Sequence, residues 1–576
     1  MINRFDHGTQ HTLKRELIRA LFLCLIGGLA FCCCAQAQTY YYVAKTGSDS
    51  NSGSASAPWL TIGHAALEAK AGSTVYVGAG TYSESVTFSN SGTSSAPIVF
   101  NGQGVAIVDG TSVACCTTPS FASSNSFFGT TTQGLLMIGA SGGVSYVTVE
   151  GFTVQNYKTS SSSDVPLGIF VPGTGGGTGI QILNNTVKNI ETTAGSSGNA
   201  YGLGVFGSST TPLTNVTVSG NTVTGCLTGE SETVPINGNI HNSTISNNVI
   251  YGNDNIGIDV EGYQGLDSGS SVDFPANIDV VGNTVYNNSA ANNAGEGSSS
   301  GSPDYDQDGL YCDGCTQTIF ERNTIYGNDI GIEAASEIAG CASSYVIMRN
   351  NLIYGSNYVG ITIGGYGKSG TGTCKTGGKD AGGGSSEYVY ILNNTLYDNG
   401  TQSSAGGSEF QTQYRVTNSY FENNIVYDVS SGILVFNVTK GAGLTANYND
   451  YYTAASSYSM YYNGKAYASF STYKSASGES DSIFANPDFT TTPSCTGTYT
   501  PPGGSGSNKA TTCSSLGNTT PTSSSPVWNV GNAGLGTPGS AWGAYETSQP
   551  FVGTYDFTGT TDRVNASGEI NMGAYE

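Results

Sequence analysis

The sequence predicts an all-β protein, a right-handed single-stranded parallel β-helix. Three observations predict it. A short strand motif recurs along the chain with centres 33, 36, 27, 35, 40, 28, 43 and 30 residues apart. The composition, with 82 glycines in 576 residues and only 10% charged residues, suits many turns between short strands. Apolar residues alternate with a period of two, and the 3.6-residue period of helices is absent, which excludes a helical solenoid.

The elements follow in chain order. Residues 1–37 read as a secretory signal peptide: Lys14, Arg15 and Arg19 precede the apolar run Ala20 to Phe31, and Ala35-Gln36-Ala37 supplies the cleavage site. That run is shorter than the roughly 20 residues a membrane span needs, so a soluble, secreted protein starting near Gln38 is expected. Residues 38–74 form the entry, in which Thr61 to Ala69 is the best helical stretch and a candidate cap for the first coil.

Residues 75–437 carry the repeat and are expected to form the coil stack. Two apolar residues one position apart precede a Gly/Asn-Asn turn and another apolar residue. Examples are Ile180 and Ile182 before Asn184-Asn185, Val216 and Val218 before Gly220-Asn221, and Val389 and Ile391 before Asn393-Asn394. One coil per repeat lets each Asn stack on its equivalents as a hydrogen-bonded ladder, with insertions confined to outer turns. A second strand, opening with Gly, lies between these motifs: Gly257-Ile258-Asp259-Val260, Gly309-Leu310-Tyr311-Cys312, Gly331-Ile332-Glu333-Ala334, Gly360-Ile361-Thr362-Ile363 and Gly432-Ile433-Leu434-Val435. The inward Ile258, Leu310, Ile332, Ile361 and Ile433 are expected to align in one apolar column, and crossover chirality favours the right-handed form. Residues 438–576 lose the repeat, become rich in Gly, Ser and Tyr, and read as the C-terminal cap.

Charge and cysteine content restrict the function classes. Removing a leader of net charge +2 takes the formal charge from −22 to −24, so the mature chain should repel nucleic acid and anionic membranes, and a polyanionic partner would need a bridging cation. Nine cysteines remain after the leader, in a compartment that favours disulfides. Cys341 with Cys374 and Cys495 with Cys513 are the expected pairs, one cysteine is left over, and Cys312-x-x-Cys315 reads as a structural pair. His64 and His241 are the only histidines after the leader, which leaves a Ser-His-Asp triad little support.

Tyr41-Tyr42-Val43-Ala44, Gly47 to Gly53, Ala57-Pro58-Trp59 and Gly72-Ser73-Thr74-Val75-Tyr76-Val77 resemble the entry of bacterial secreted β-helix proteins of the pectate-lyase-like superfamily. Asp556-Phe557 and Gly568 to Glu576 are similar to their closing segment. The resemblance implies the fold and extracellular polysaccharide as partner; the superfamily holds lyases, hydrolases and epimerases, so it leaves the reaction open. The Asn-Thr-Asp-Gly of polygalacturonases, the Asp-Pro-His-Asp of alginate epimerases and the Trp-x-Asp-His of the main pectate lyases are missing.

Strand parity gives a separate route to a site. With Ile258 and Val260 facing the core, Asp259 and Glu261 face out, and the same parity exposes Tyr311, Asp313, Glu333, Thr362, Glu409 and Gln411. Coils stack about 4.8 Å apart, so these side chains should form an acidic column lining a cleft. Like charges on facing strands are destabilising unless a cation or raised pKa values compensate. Two chemistries can use the column. In the first, Asp259, Glu261, Asp313 and Glu333 hold Ca2+ for lyase action on a uronic-acid polymer, with Lys368 as candidate base beside Lys375 and Lys379. In the second, paired carboxylates hydrolyse a glycosidic bond. A non-catalytic, adhesive glycan-binding protein is the third expectation, in which Phe170, Phe206 and Tyr311 would stack on sugar rings. A monomer is expected.

Overall fold

The computed structural model describes residues 38–575 apart from 117–130, 140–141, 268, 270, 300, 366–372, 376, 378–382, 403–406, 438–442, 504–505, 536–550, 563 and 565–568. The leader expected at 1–37 lies outside the described residues. Among those described, no helix is long and apolar enough to cross a membrane.

The chain is a right-handed parallel β-helix. Two sheets run the length of the stack, one of 26 short strands and one of 13. Each coil contributes two strands of the larger sheet, separated by the Asn turn, and one strand of the smaller sheet. The smaller sheet runs from Val86–Phe88 through Ile258–Glu261, Asp308–Asp313, Ile330–Ala335, Val359–Ile363 and Ser408–Thr412 to Ser459–Tyr462, and an antiparallel hairpin to Lys465–Tyr467 ends it. Register places Ile258, Leu310, Ile332, Ile361 and Phe410 on successive strands of one inward column, all fully buried. The next rung is Val435, with Ile433 opposite Ser459 across a register shift, so Ile433 falls outside the expected column. Parallel pairing continues through Leu444–Asn447, Asp450–Thr453 and Ser459–Tyr462. The stack therefore extends past residue 437, because apolar alternation persists after the Asn-Asn spacing becomes irregular.

The Asn turns form the expected ladder. From Asn185 through Asn221, Asn248, Asn283, Asn323, Asn351, Asn394 and Asn424 to Asn449, each Nδ2 donates to the next Oδ1 at 2.9–3.1 Å. Each of these Nδ2 groups from Asn185 to Asn424 also donates to a backbone carbonyl, as Asn283 does to Ile245 at 2.9 Å. A second ladder passes through Asn253, Asn288 and Asn328. The ladder and the close approach of the next coil explain the glycine that opens the strands of the smaller sheet: a Cβ on Gly309 would lie 2.7 Å from Asn328 Nδ2, and one on Gly331 2.3 Å from the backbone carbonyl of Gly360.

The helix Ile62–Glu68, capped by Thr61, covers the first coil with Ile62, Ala65 and Ala66. At the far end the chain turns back along the coils. Asn571 accepts from Asn393 Nδ2 at 3.0 Å, and Asn508 donates to the Ala291 carbonyl at 2.6 Å. Cys341–Cys374, Cys495–Cys513 and Cys312–Cys315 are bonded as expected, and Cys115–Cys116, for which no pairing was expected, is bonded too; among the described residues Cys226 is the free cysteine, and it is buried.

Candidate functional site

Alternation in Ile258–Glu261 sends Ile258 and Val260 to the core and Asp259 and Glu261 outward. Pairing then builds two outward columns. One runs Pro235, Asp259, Tyr311, Glu333, Thr362, Gln411; the other runs Asn237, Glu261, Asp313, Ala335. Asp259, Tyr311 and Glu333 thus project from three successive coils onto one face.

The face is not an open cleft. Asp259, Glu261, Asp313 and Glu333 are only 2–7% exposed and Tyr311 is 4% exposed. The segments that follow the strands fold over them: Gln264 Nε2 donates to Asp313 Oδ2 at 3.0 Å, and the Glu337 amide donates to Asp313 Oδ1 at 2.9 Å. Tyr311 packs with Ile256 and Ala335 instead of meeting solvent. Phe206, expected to meet a sugar ring, is fully buried in a cluster with Phe170, Tyr201 and Leu266; its outward position is roofed by other apolar side chains. Glu409 does not line the site either. It occupies the strand-opening place that glycine holds elsewhere, and its carboxylate accepts from Asn399 N at 2.8 Å and Nδ2 at 2.6 Å beside the inner Asn ladder. Gln411 keeps its place in the outward column at 6% exposure. Lys368 and Lys379 lie outside the described residues, and Lys375 is exposed.

Sequence reasoning missed Glu232. Oxygens of Glu232, Asp259 and Glu261 lie within 4.8 Å of one another, a grouping that includes neither Asp313 nor Glu333. Glu232 Oε2 and Asp259 Oδ1 are buried without a hydrogen-bond partner. Asn237 Nδ2 donates to Glu261 Oε2. Asp308, which with Gly309 is loosely similar in sequence to calcium-binding acids of a pectate lyase family but falls outside the parity column, adds a further buried carboxylate with an unpartnered Oδ1.

Burial is the leading cause of every pKa shift at this site. It lifts Asp259 far above the carboxylate range, helped by the charges of Glu232 and Asp313, and lifts Glu261 likewise with Glu232 and Asp259. Glu232 rises to about 7, and Glu333 to about 8 with Asp313 as its main charged neighbour. Burial and Glu333 raise Asp308, and burial and Asp313 raise the Tyr311 phenol. No lysine or arginine figures among the leading influences on any of them. Without a cation the cluster resists in-register repulsion by keeping protons. The three grouped carboxylates, all-oxygen donors with two orphaned buried oxygens, fit a hard divalent cation such as calcium.

Fold and site together define a parallel β-helix protein with a buried acidic cluster on its smaller sheet. Residues 45–302 match the family model "Protein of unknown function (DUF1565)". The chain is 34% identical over 455 residues to "Uncharacterized protein YwoF" of Bacillus subtilis (strain 168), spanning 78% of this chain and 88% of that protein. It belongs to that family of parallel β-helix proteins. Similar solved structures are XylC with xylose (TM-score 0.46, 13% identity, 79% of this chain and 88% of that one) and the pectate lyase Pel9A (0.40, 14%, 88% and 96%). A third is PfbA, a surface adhesin of Streptococcus pneumoniae (0.46, 13%, 70% and 88%). Likeness of this degree says nothing of activity.

Proposed function

We propose that the protein is secreted and cleaves an extracellular polysaccharide by lyase chemistry on a uronic-acid polymer, with calcium held by Glu232, Asp259 and Glu261. The observation that carries this reading is the orphaned pair of buried oxygens, Glu232 Oε2 and Asp259 Oδ1, within a three-carboxylate group. A net charge of −22 adds to it, because a polyanion approaches such a chain only through a cation. When bound, calcium neutralises the carboxylate of a uronate and acidifies the proton beside it. Asp313, held at both oxygens by Gln264 and the Glu337 amide, is oriented to take that proton. Tyr311, its phenol kept protonated by burial, is placed beside Glu333 to donate one to the leaving oxygen.

Hydrolysis by paired carboxylates is the second reading. It is favoured by the register of Glu261 with Asp313 and by Glu232 and Glu333, raised to about 7 and about 8, values suited to a general acid. The full chain should be incubated with pectate, alginate and neutral glycans, with calcium or with EDTA. Unsaturated, ultraviolet-absorbing product that EDTA abolishes is the expected outcome. New reducing ends without that absorbance would replace lyase by hydrolase, and binding without turnover on every glycan would leave an adhesive protein.

A further inference from the structure

A cavity of about 240 Å³ opens between the turns that lead into four successive strands of the smaller sheet, and no part of the reaction above uses it. Its lining includes Thr192, Thr193, Leu227, Gly229, Asp254 and Asn293. Side-chain amides brace the wall: Asn293 Nδ2 donates to the carbonyls of Gly229 at 2.8 Å and Asp254 at 2.9 Å, and Asn255 Nδ2 donates to Gly229 O at 2.8 Å and Glu296 Oε1 at 2.9 Å. Asp254, 3% exposed, is fixed by Thr228, whose amide and hydroxyl donate to Oδ1 at 2.7 and 3.2 Å. The acidic cluster is close by in the chain, since Glu232 follows Gly229 by three residues.

We propose that this cavity binds one uncharged sugar ring, as a subsite beside the acidic cluster. Its volume lies below the roughly 300–1,000 Å³ of sites for drug-sized ligands, so it admits a single ring and not a chain. A carboxylate and two threonine hydroxyls are acceptors for the hydroxyl donors of a sugar, while Leu227 and Ala294 give an apolar wall for its C–H face. An anionic sugar is disfavoured, because Asp254 lines the cavity and its lining holds no lysine or arginine to pair with a carboxylate. The proposal rests on the reading of the molecule as glycan-acting, but not on the cation.

The test is titration of the full chain, by saturation-transfer NMR and calorimetry, with glucose, galactose, mannose, xylose, glucuronate and galacturonate. At least one neutral sugar should bind in the millimolar range and the uronates at least tenfold more weakly. Asp254→Asn keeps the acceptor for Thr228 and should weaken binding tenfold or more; Thr193→Trp, at the exposed rim, should abolish it. Thr193→Trp should leave the melting temperature unchanged and Asp254→Asn should not lower it, since its buried carboxyl is held up to about 7. No binding of any neutral sugar, equal binding of uronates, or binding that survives both substitutions overturns the proposal. Failure of the cation reading would appear separately, as a melting temperature indifferent to calcium while sugar binding persists.

Discussion

Replacing Glu333 by Gln should stabilise the protein at alkaline pH and leave it unchanged in acid. Glu333 is 7% exposed, and its proton is held from the ordinary 4.5 up to about 8. At 1.36 kcal/mol per pH unit the ionised form costs the folded state about 5 kcal/mol, an order of magnitude shared with its charged neighbours. The sign follows from proton uptake. The folded state keeps a proton that the unfolded chain releases above about 4.5, so this stability is complete below that pH and is lost as pH rises to about 8. With an unfolding entropy of about 2.1 cal/mol/K per residue, a chain of this size loses about 4–5 °C. Melting of wild type and Glu333→Gln, followed by calorimetry in EDTA at pH 5 and pH 8.5, checks this. The two should coincide at pH 5, and the variant should melt several degrees higher at pH 8.5. A variant that melts with or below wild type at pH 8.5 would refute the argument that buried like charges strain this sheet.

Three further outcomes are expected. Calcium should raise the wild-type melting temperature at pH 8.5, and Asp259→Asn with Glu261→Gln should remove that rise, read by thermal scans with calcium and EDTA. Asn283→Ala removes donors to Ile245 O and Asn323 Oδ1 and the acceptor for Asn248 N and Nδ2. With unsatisfied buried groups costing roughly 1–3 kcal/mol each, it should lose about 3–6 kcal/mol in chemical denaturation, whereas replacing the half-buried Asn277, at φ 59°, by Gly should cost far less. Leu310→Ala, in the inward column, should cost about 2–5 kcal/mol by the same measurement without altering calcium binding.

Much of the architecture could be read from residues alone, because a coil that recurs writes its period into the chain. Alternation placed Asp259, Tyr311, Glu333 and Gln411 in one outward column, and pairing bears out that geometry. Parity, however, says which way a side chain leaves the sheet and nothing about what lies above it. Tyr311 and Phe206 leave outward and are still buried, by neighbouring strands and the long connections. Glu409 has the right parity but sits where the strand bends out of the turn, so its carboxylate meets the inner ladder. Ile433 fails at a register shift, which alternation cannot signal. Glu232 lies in the bend between Gly229 and Thr233, outside any strand, and only the three-dimensional approach of that bend to Ile258–Glu261 brings it to Asp259.

The asparagine ladder has a further consequence for assembly. Its amide-to-amide hydrogen bonds all point the same way, each Nδ2 donating to the Oδ1 of the next, more C-terminal coil, until the Asn449 backbone amide donates to the Ser482 hydroxyl at 3.1 Å. A one-directional zipper of identical teeth fixes the polarity of stacking and gives every new coil a ready docking edge. Yet identical teeth cannot tell one coil from the next: a chain slipped by a whole turn would satisfy the ladder equally well. Correct alignment must come from features that occur once. The fully buried Arg349, 3.0 Å from Glu321 on the neighbouring strand, is such a feature, and the returning C-terminal segment, whose Phe551 carbonyl accepts from Arg349 Nη1 at 3.2 Å, is another. The ladder supplies cohesion, and those singular contacts act as the index marks that keep its count.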